Sequence, residues 1–165
     1  MPTLYATLLA TLEQERDAYR EMLTICGDIQ QAVIQNDVAV LEGLITSQET
    51  IWEQIVDIND HADAQIRELG RAHAVPDEQL RLSVLIAKAE QELQDSLWQV
   101  RTELDELFTK QAWMNETNQR LITMQLDYTN YMLKELTTED SVSTTYTNQG
   151  VETDEETKSI FQISI

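Results

Sequence analysis

Few side chains in this sequence are suited to covalent or metal chemistry. His61 and His73 stand twelve positions apart, with neither a Glu-x-x-His pair nor a flanking cysteine. That matches neither the di-iron pattern of helical bundles nor the common zinc spacings. Cys26 is the single cysteine; it excludes an internal disulfide and fits a reducing compartment. Its place in an apolar seam marks it as a small buried hydrophobe rather than a nucleophile. No glycine-rich phosphate loop and no nucleophile elbow occurs. The expectation is a non-enzymatic protein without catalytic residues, metal or cofactor.

What remains is the chemistry of binding, and one segment concentrates it. Residues 114–136 read MNETNQRLITMQLDYTNYMLKEL, a helix pattern holding Met114, Met124 and Met132, three of the five methionines of the chain. Leu121 and Tyr128 share the stripe. Gln111, Asn118 and Gln125 recur every seven residues on the seam, where leucine would hold a permanent coiled coil better. Unbranched, polarizable methionine lets one surface fit more than one partner helix. Such a stripe is also what a core looks like, if the helix kinks back or the protein dimerises. Asn115 lies beside the seam, and a solvated role for Asn115 and Asn118 stays open.

These residues must be positioned by long helices, because four glycines and two prolines leave few turn makers in 165 residues. Tyr5, Leu8, Leu12, Glu15, Tyr19, Met22, Cys26, Ile29 and Val33 are spaced by alternating threes and fours, with Glu15 the one break. The spacing predicts a first helix over about 3–35. Asn36-Asp37 supplies a turn and an N-cap. A second helix over about 38–69 carries Leu41, Leu44, Ile51, Ile55 and Ile58, widened by Ile45, Trp52, Val56 and Ile66, with Gly70 as its expected C-terminal cap. A third runs over about 78–136. The three tryptophans, Trp52, Trp98 and Trp113, are expected to pack along the bundle.

The fold class is therefore all-α: an antiparallel helical hairpin plus a longer third helix in a coiled-coil-like bundle. Residues 1–136 form the helical domain and 137–165 a flexible polar, acidic tail, in which SIFQISI is the apolar exception. The third helix should run antiparallel to the second, draw level with the Asn36-Asp37 turn near residue 111, and overhang beyond it. An apolar stripe exposed over 112–136 calls for a protein partner or a second copy of the chain.

Thirty acidic residues against eleven basic ones give a net charge of −19, which repels nucleic acid and anionic lipid. The N-terminal MPTLYATLLATLEQERD has no basic leader, and no stretch approaches a membrane span. The expected location is the cytoplasm, with no nucleic-acid partner and no direct membrane insertion.

The hairpin, the longer helix with the Asn115-x-x-Asn118 pair followed by Leu121, Ile122 and Tyr128, the YTNQG stretch from Tyr146 to Gly150 and the terminal ISI together resemble the FlgN family of flagellar type III export chaperones. The likeness in layout covers essentially the whole chain. It implies a chaperone for the C-terminal helices of the hook-filament junction proteins, hook-associated proteins 1 and 3. Client binding would then map onto Met114, Asn115, Asn118, Leu121, Ile122, Met124, Gln125, Tyr128 and Met132. Tyr146 would dock to the cytoplasmic domain of the export-gate membrane protein. The residues alone leave a second reading, a coiled-coil scaffold or assembly factor that self-associates through its third helix.

Overall fold

The computed structural model describes the backbone of residues 2–142 and the side chains of residues 3–137. Tyr146, the YTNQG stretch and SIFQISI lie outside the described residues. The described elements are α1 (Pro2–Gln35), α2 (Val38–Ala72), a 3₁₀ turn (Asp77–Gln79), a short α3 (Leu82–Ile86) and α4 (Gln91–Val142). All are helical, with no strand among the described residues, so the protein is an all-α bundle. The chain divides into two units, Met1–Leu126 and Asp127–Ile165. The bundle belongs to the first. The described part of the second is the end of α4, where Tyr128, Tyr131, Leu133 and Leu136 are exposed.

α1 is the central helix of the first unit. Its whole seam from Tyr5 to Val33 is buried, Glu15 included, and Ala18 and Ala32 widen it. α2 buries only Ile51, Ile55, Ala62, Leu69 and Gly70, so much of its broad apolar face is uncovered. Between α1 and α2, Asn36 takes a left-handed conformation (φ 54°), which asparagine tolerates better than most residues. Asp37 then accepts from the Val40 amide at 3.1 Å, the expected cap.

The end of α2 differs from expectation. Gly70 lies inside the helix, which continues to Ala72, and the left-handed residue of the following turn is Ala74 (φ 50°). Gly70 allows a close approach: a Cβ there would stand 2.6 Å from Leu80 Cδ1, so the Leu80 side chain would have to shift. Lacking that carbon lets the 3₁₀ turn settle on α2.

The expected helix over 78–136 is interrupted. The 3₁₀ turn and α3 occupy the start of that stretch, and Leu85 and Ile86 are fully buried. The Tyr5 hydroxyl donates to the Leu85 carbonyl at 2.9 Å and lies 2.8 Å from His73 Nε2, tying α1, α3 and the end of α2 together. This interruption moves the register of everything after it. α4 runs parallel to α1 and antiparallel to α2: Glu103 pairs with Arg20 at 3.0 Å, Asn118 reaches the Cys26 carbonyl at 2.8 Å, and Gln125 reaches Asn36 at 3.3 Å. The level of the α1–α2 turn is thus near residue 125, not residue 111. Residues that were expected to extend the bundle instead close its far end.

The tryptophans also depart from expectation. Trp52, Trp98 and Trp113 are all exposed, and Trp98 carries the Arg101 guanidinium 4.9 Å from its ring centroid.

Candidate functional site

The later register of α4 lays its residues 111–123 opposite residues 45–52 of α2, with α1 between them. The two outer helices leave a groove of about 570 Å³. Met22 and Ile29 of α1 form its floor, Ile45, Gln48, Glu49 and Trp52 its α2 wall, and Gln111, Asn115, Asn118, Gln119, Ile122 and Thr123 its α4 wall. Ile45 and Trp52 are two turns apart on one face of α2 and both exposed. The uncovered part of the broad α2 face is therefore one side of the groove.

Of the residues singled out in the sequence, Asn115, Asn118 and Ile122 line this groove. Met114 instead packs against the core, with its methyl 3.9 Å from where a Cβ of Gly27 would stand. Leu121 and Gln125 are half-buried, and Gln125 meets Asn36. Met124, Tyr128 and Met132 are exposed and do not line the groove. Sequence reasoning centred on the third helix missed Ile45, Gln48 and Trp52. The signal was present in the widening of the second helix's face, which one antiparallel neighbour cannot cover.

Four of the lining residues, Gln48, Gln111, Asn115 and Asn118, form a polar cluster around Cys26. Cys26 is fully buried, yet its sulfur accepts from Gln48 Nε2 at 3.3 Å and Gln111 Nε2 at 3.4 Å, and it lies 3.6 Å from Asn115 Oδ1. Gln111 also donates to Asn115 Oδ1 at 3.2 Å. Asn118, only 6% exposed, donates through Nδ2 to the Cys26 carbonyl, while its Oδ1 has no hydrogen-bond partner among the described residues. Cys26 thus sits in a collar of carboxamides rather than in a purely apolar seam. The acidic wall adds a field: α2 carries Glu42, Glu49 and Glu53 and has no Lys or Arg before Arg67. On α4, Arg120 is held by Glu116 at 2.7 Å.

A second cavity, of about 410 Å³, surrounds Glu15 and is lined by Asp63 of α2 and by Arg101, Asp105 and Phe108 of α4. Burial first, and the Asp63 charge second, push the Glu15 carboxyl up to about 7. Burial also raises the Tyr5 and Tyr19 phenols. Among the described residues no group of three His, Cys, Asp or Glu side chains is placed to hold a metal ion. His61 Nδ1 lies 2.6 Å from the Asp57 carbonyl and His73 meets Tyr5, at separate places. The arrangement is an open groove with two walls and a floor, flanked by apolar and carboxamide side chains rather than by a catalytic or metal-binding cluster among the described residues.

A family model described as FlgN protein matches residues 1–154, nearly the whole chain. No curated protein and no solved structure matches it.

Proposed function

The chain belongs to the FlgN family, a family of flagellar chaperones, and from that premise we propose that it is an export chaperone whose α2–α4 groove takes a client helix. The clients are the C-terminal helices of the hook-filament junction proteins, hook-associated proteins 1 and 3. The chaperone keeps them soluble and delivers them to the type III export gate. It works without catalysis or cofactor, in the cytoplasm. No helix among the described residues is long and apolar enough to cross a membrane.

One observation carries the reading: an apolar groove bounded by two helices and floored by a third, with Ile45, Trp52 and Ile122 presented to it and no segment of the described chain lying in it. Covering one such side chain contributes about 1.5–3 kcal/mol, so a few of them offset the cost of association. Asn115, Asn118 and Ile122 contact the client under this reading. Met124, Tyr128 and Met132 are assigned to the client by the family resemblance alone. Delivery is assigned to Tyr146, as the docking residue for the cytoplasmic domain of the export-gate membrane protein.

Titration calorimetry with peptides of the two client C-termini tests it. Ile122→Arg should weaken both by about tenfold or more, with the helical circular dichroism unchanged. Binding equal to wild type would remove the groove from the account. A second reading rests on a different observation: Met124, Leu126, Tyr128, Tyr131, Met132, Leu133 and Leu136 are all exposed on α4. These residues suit self-association of a scaffold, and light scattering at micromolar concentration separates the two, a monomer favouring the chaperone.

A further inference from the structure

The polar collar along the groove is out of place for a surface that merely buries leucines. We propose that the helix accepted by this groove carries, in the middle of its apolar face, one uncharged hydrogen-bond donor (serine, threonine, asparagine or glutamine) that seats on Asn118 Oδ1, and basic residues on the flank facing α2. This rests on the groove being a helix-binding site and specifies the chemistry of what it binds.

The orientation of Asn118 is set by its neighbour. The Cys26 carbonyl can only accept, so the Asn118 amide must turn Nδ2 toward it and Oδ1 away. That oxygen is then a buried acceptor without a hydrogen-bond partner among the described residues, on a side chain 6% exposed that lines the groove. A buried acceptor left unmade is a standing penalty, relieved by any donor that reaches it. Docking has to part the side chains over it. No collar group donates to it in the folded chain: Gln111 Nε2 is engaged with Cys26 and Asn115, and Gln48 Nε2 donates to Cys26. An uncharged donor suits the site because a cation seated on a neutral amide would be desolvated without a counter-charge. Charge complementarity operates at the rim instead, where Glu49 lines the groove and Glu42 and Glu53 belong to the same stretch of α2, which holds no basic residue. A single polar key in an apolar seam also sets register, because sliding by one turn strands both partners.

Phage display against the full chain tests this, using amphipathic helices of about five turns with a fixed leucine seam, one central seam position randomised and the flanks varied. Binders that use the groove are those lost on the Ile122→Arg variant. On wild type these should be enriched at the central position in Ser, Thr, Asn or Gln, and in Lys or Arg on one flank. On Asn118→Leu the central preference should shift to Leu, Ile or Met. An unchanged preference on Asn118→Leu, or a central Lys, Arg or Leu on wild type, overturns the polar key while leaving the groove standing. No groove-dependent binder at all overturns both. Should Asn118→Leu fail to fold, the peptide side decides: replacing the donor of a selected peptide by Leu should weaken wild-type binding roughly tenfold, and equal or tighter binding refutes the proposal.

Discussion

Replacing Glu15 by glutamine should stabilise this protein at alkaline pH and not at acid pH. Glu15 is the one carboxyl in the α1 seam, 5% exposed. It faces Asp63 from α2 and Arg101 and Asp105 from α4 across a shared cavity, with the Tyr19 phenol nearby on α1. Burial and Asp63 raise its pKa from 4.5 to about 7. A raised carboxyl is one whose protonated form the folded state prefers. The folded protein is therefore unaffected below about pH 4.5, loses stability as pH rises toward 7, and bears the full deficit above it. A shift of that size corresponds to about 3 kcal/mol. The glutamine amide of the variant keeps the shape and removes the charge. Urea unfolding followed by circular dichroism should find wild type and Glu15→Gln close at about pH 5, and the variant more stable by about 2–3 kcal/mol at about pH 8. A difference that does not change between the two pH values would refute the burial argument.

Gly70 and Leu80 should be coupled. With Leu80 in place, Gly70→Ala sets a Cβ 2.6 Å from Leu80 Cδ1 and should destabilise, whereas in a Leu80→Ala background the same change should gain about 0.5–1 kcal/mol of helix propensity. Thermal unfolding of the four proteins measures this, and an equal effect in both backgrounds would show that Leu80 is not the reason for the glycine. Tyr146→Ala should leave client affinity unchanged and reduce secretion of the clients; a large loss of affinity by calorimetry would end the separation of binding from delivery.

The parts of the fold that were legible in the sequence are those set by local periodicity. The α1 seam is buried at every position its spacing marked, and Asp37 caps α2 as its side chain dictates. The interruption before α4 was not legible, because Leu80, Leu82, Leu85 and Ile86 satisfy a helical period as well as they satisfy a compact cap, and no proline or glycine follows Pro76 until Gly150 to mark the break. Gly70 is ambiguous for a related reason: a glycine near a helix end suits a left-handed cap and a close crossing equally, and only the position of Leu80 distinguishes them. These two together displaced the expected register of α4 against the α1–α2 turn.

The candidate site was half legible. The seven-residue repeat of Gln111, Asn118 and Gln125 announced a polar seam, and two of the three are buried. Their convergence on Cys26 could not be read from spacing, because it depends on which turn of α1 lies alongside. Ile45 and Trp52 were visible as a widened face on the second helix. The length of the third helix pointed to a site along that helix alone, when the groove needs walls from both.

The central claim is that the partner helix lies between α2 and α4. The most direct test is site-specific photocross-linking, with benzoylphenylalanine replacing Gln119 or Ile45 inside the groove, or Thr109 on the outer surface of α4 beside Trp113. With the C-terminal helix of hook-associated protein 1 or 3 as the partner, the account predicts cross-links from both groove positions and none from Thr109. Cross-links from Thr109 with none from Gln119 and Ile45 would contradict it.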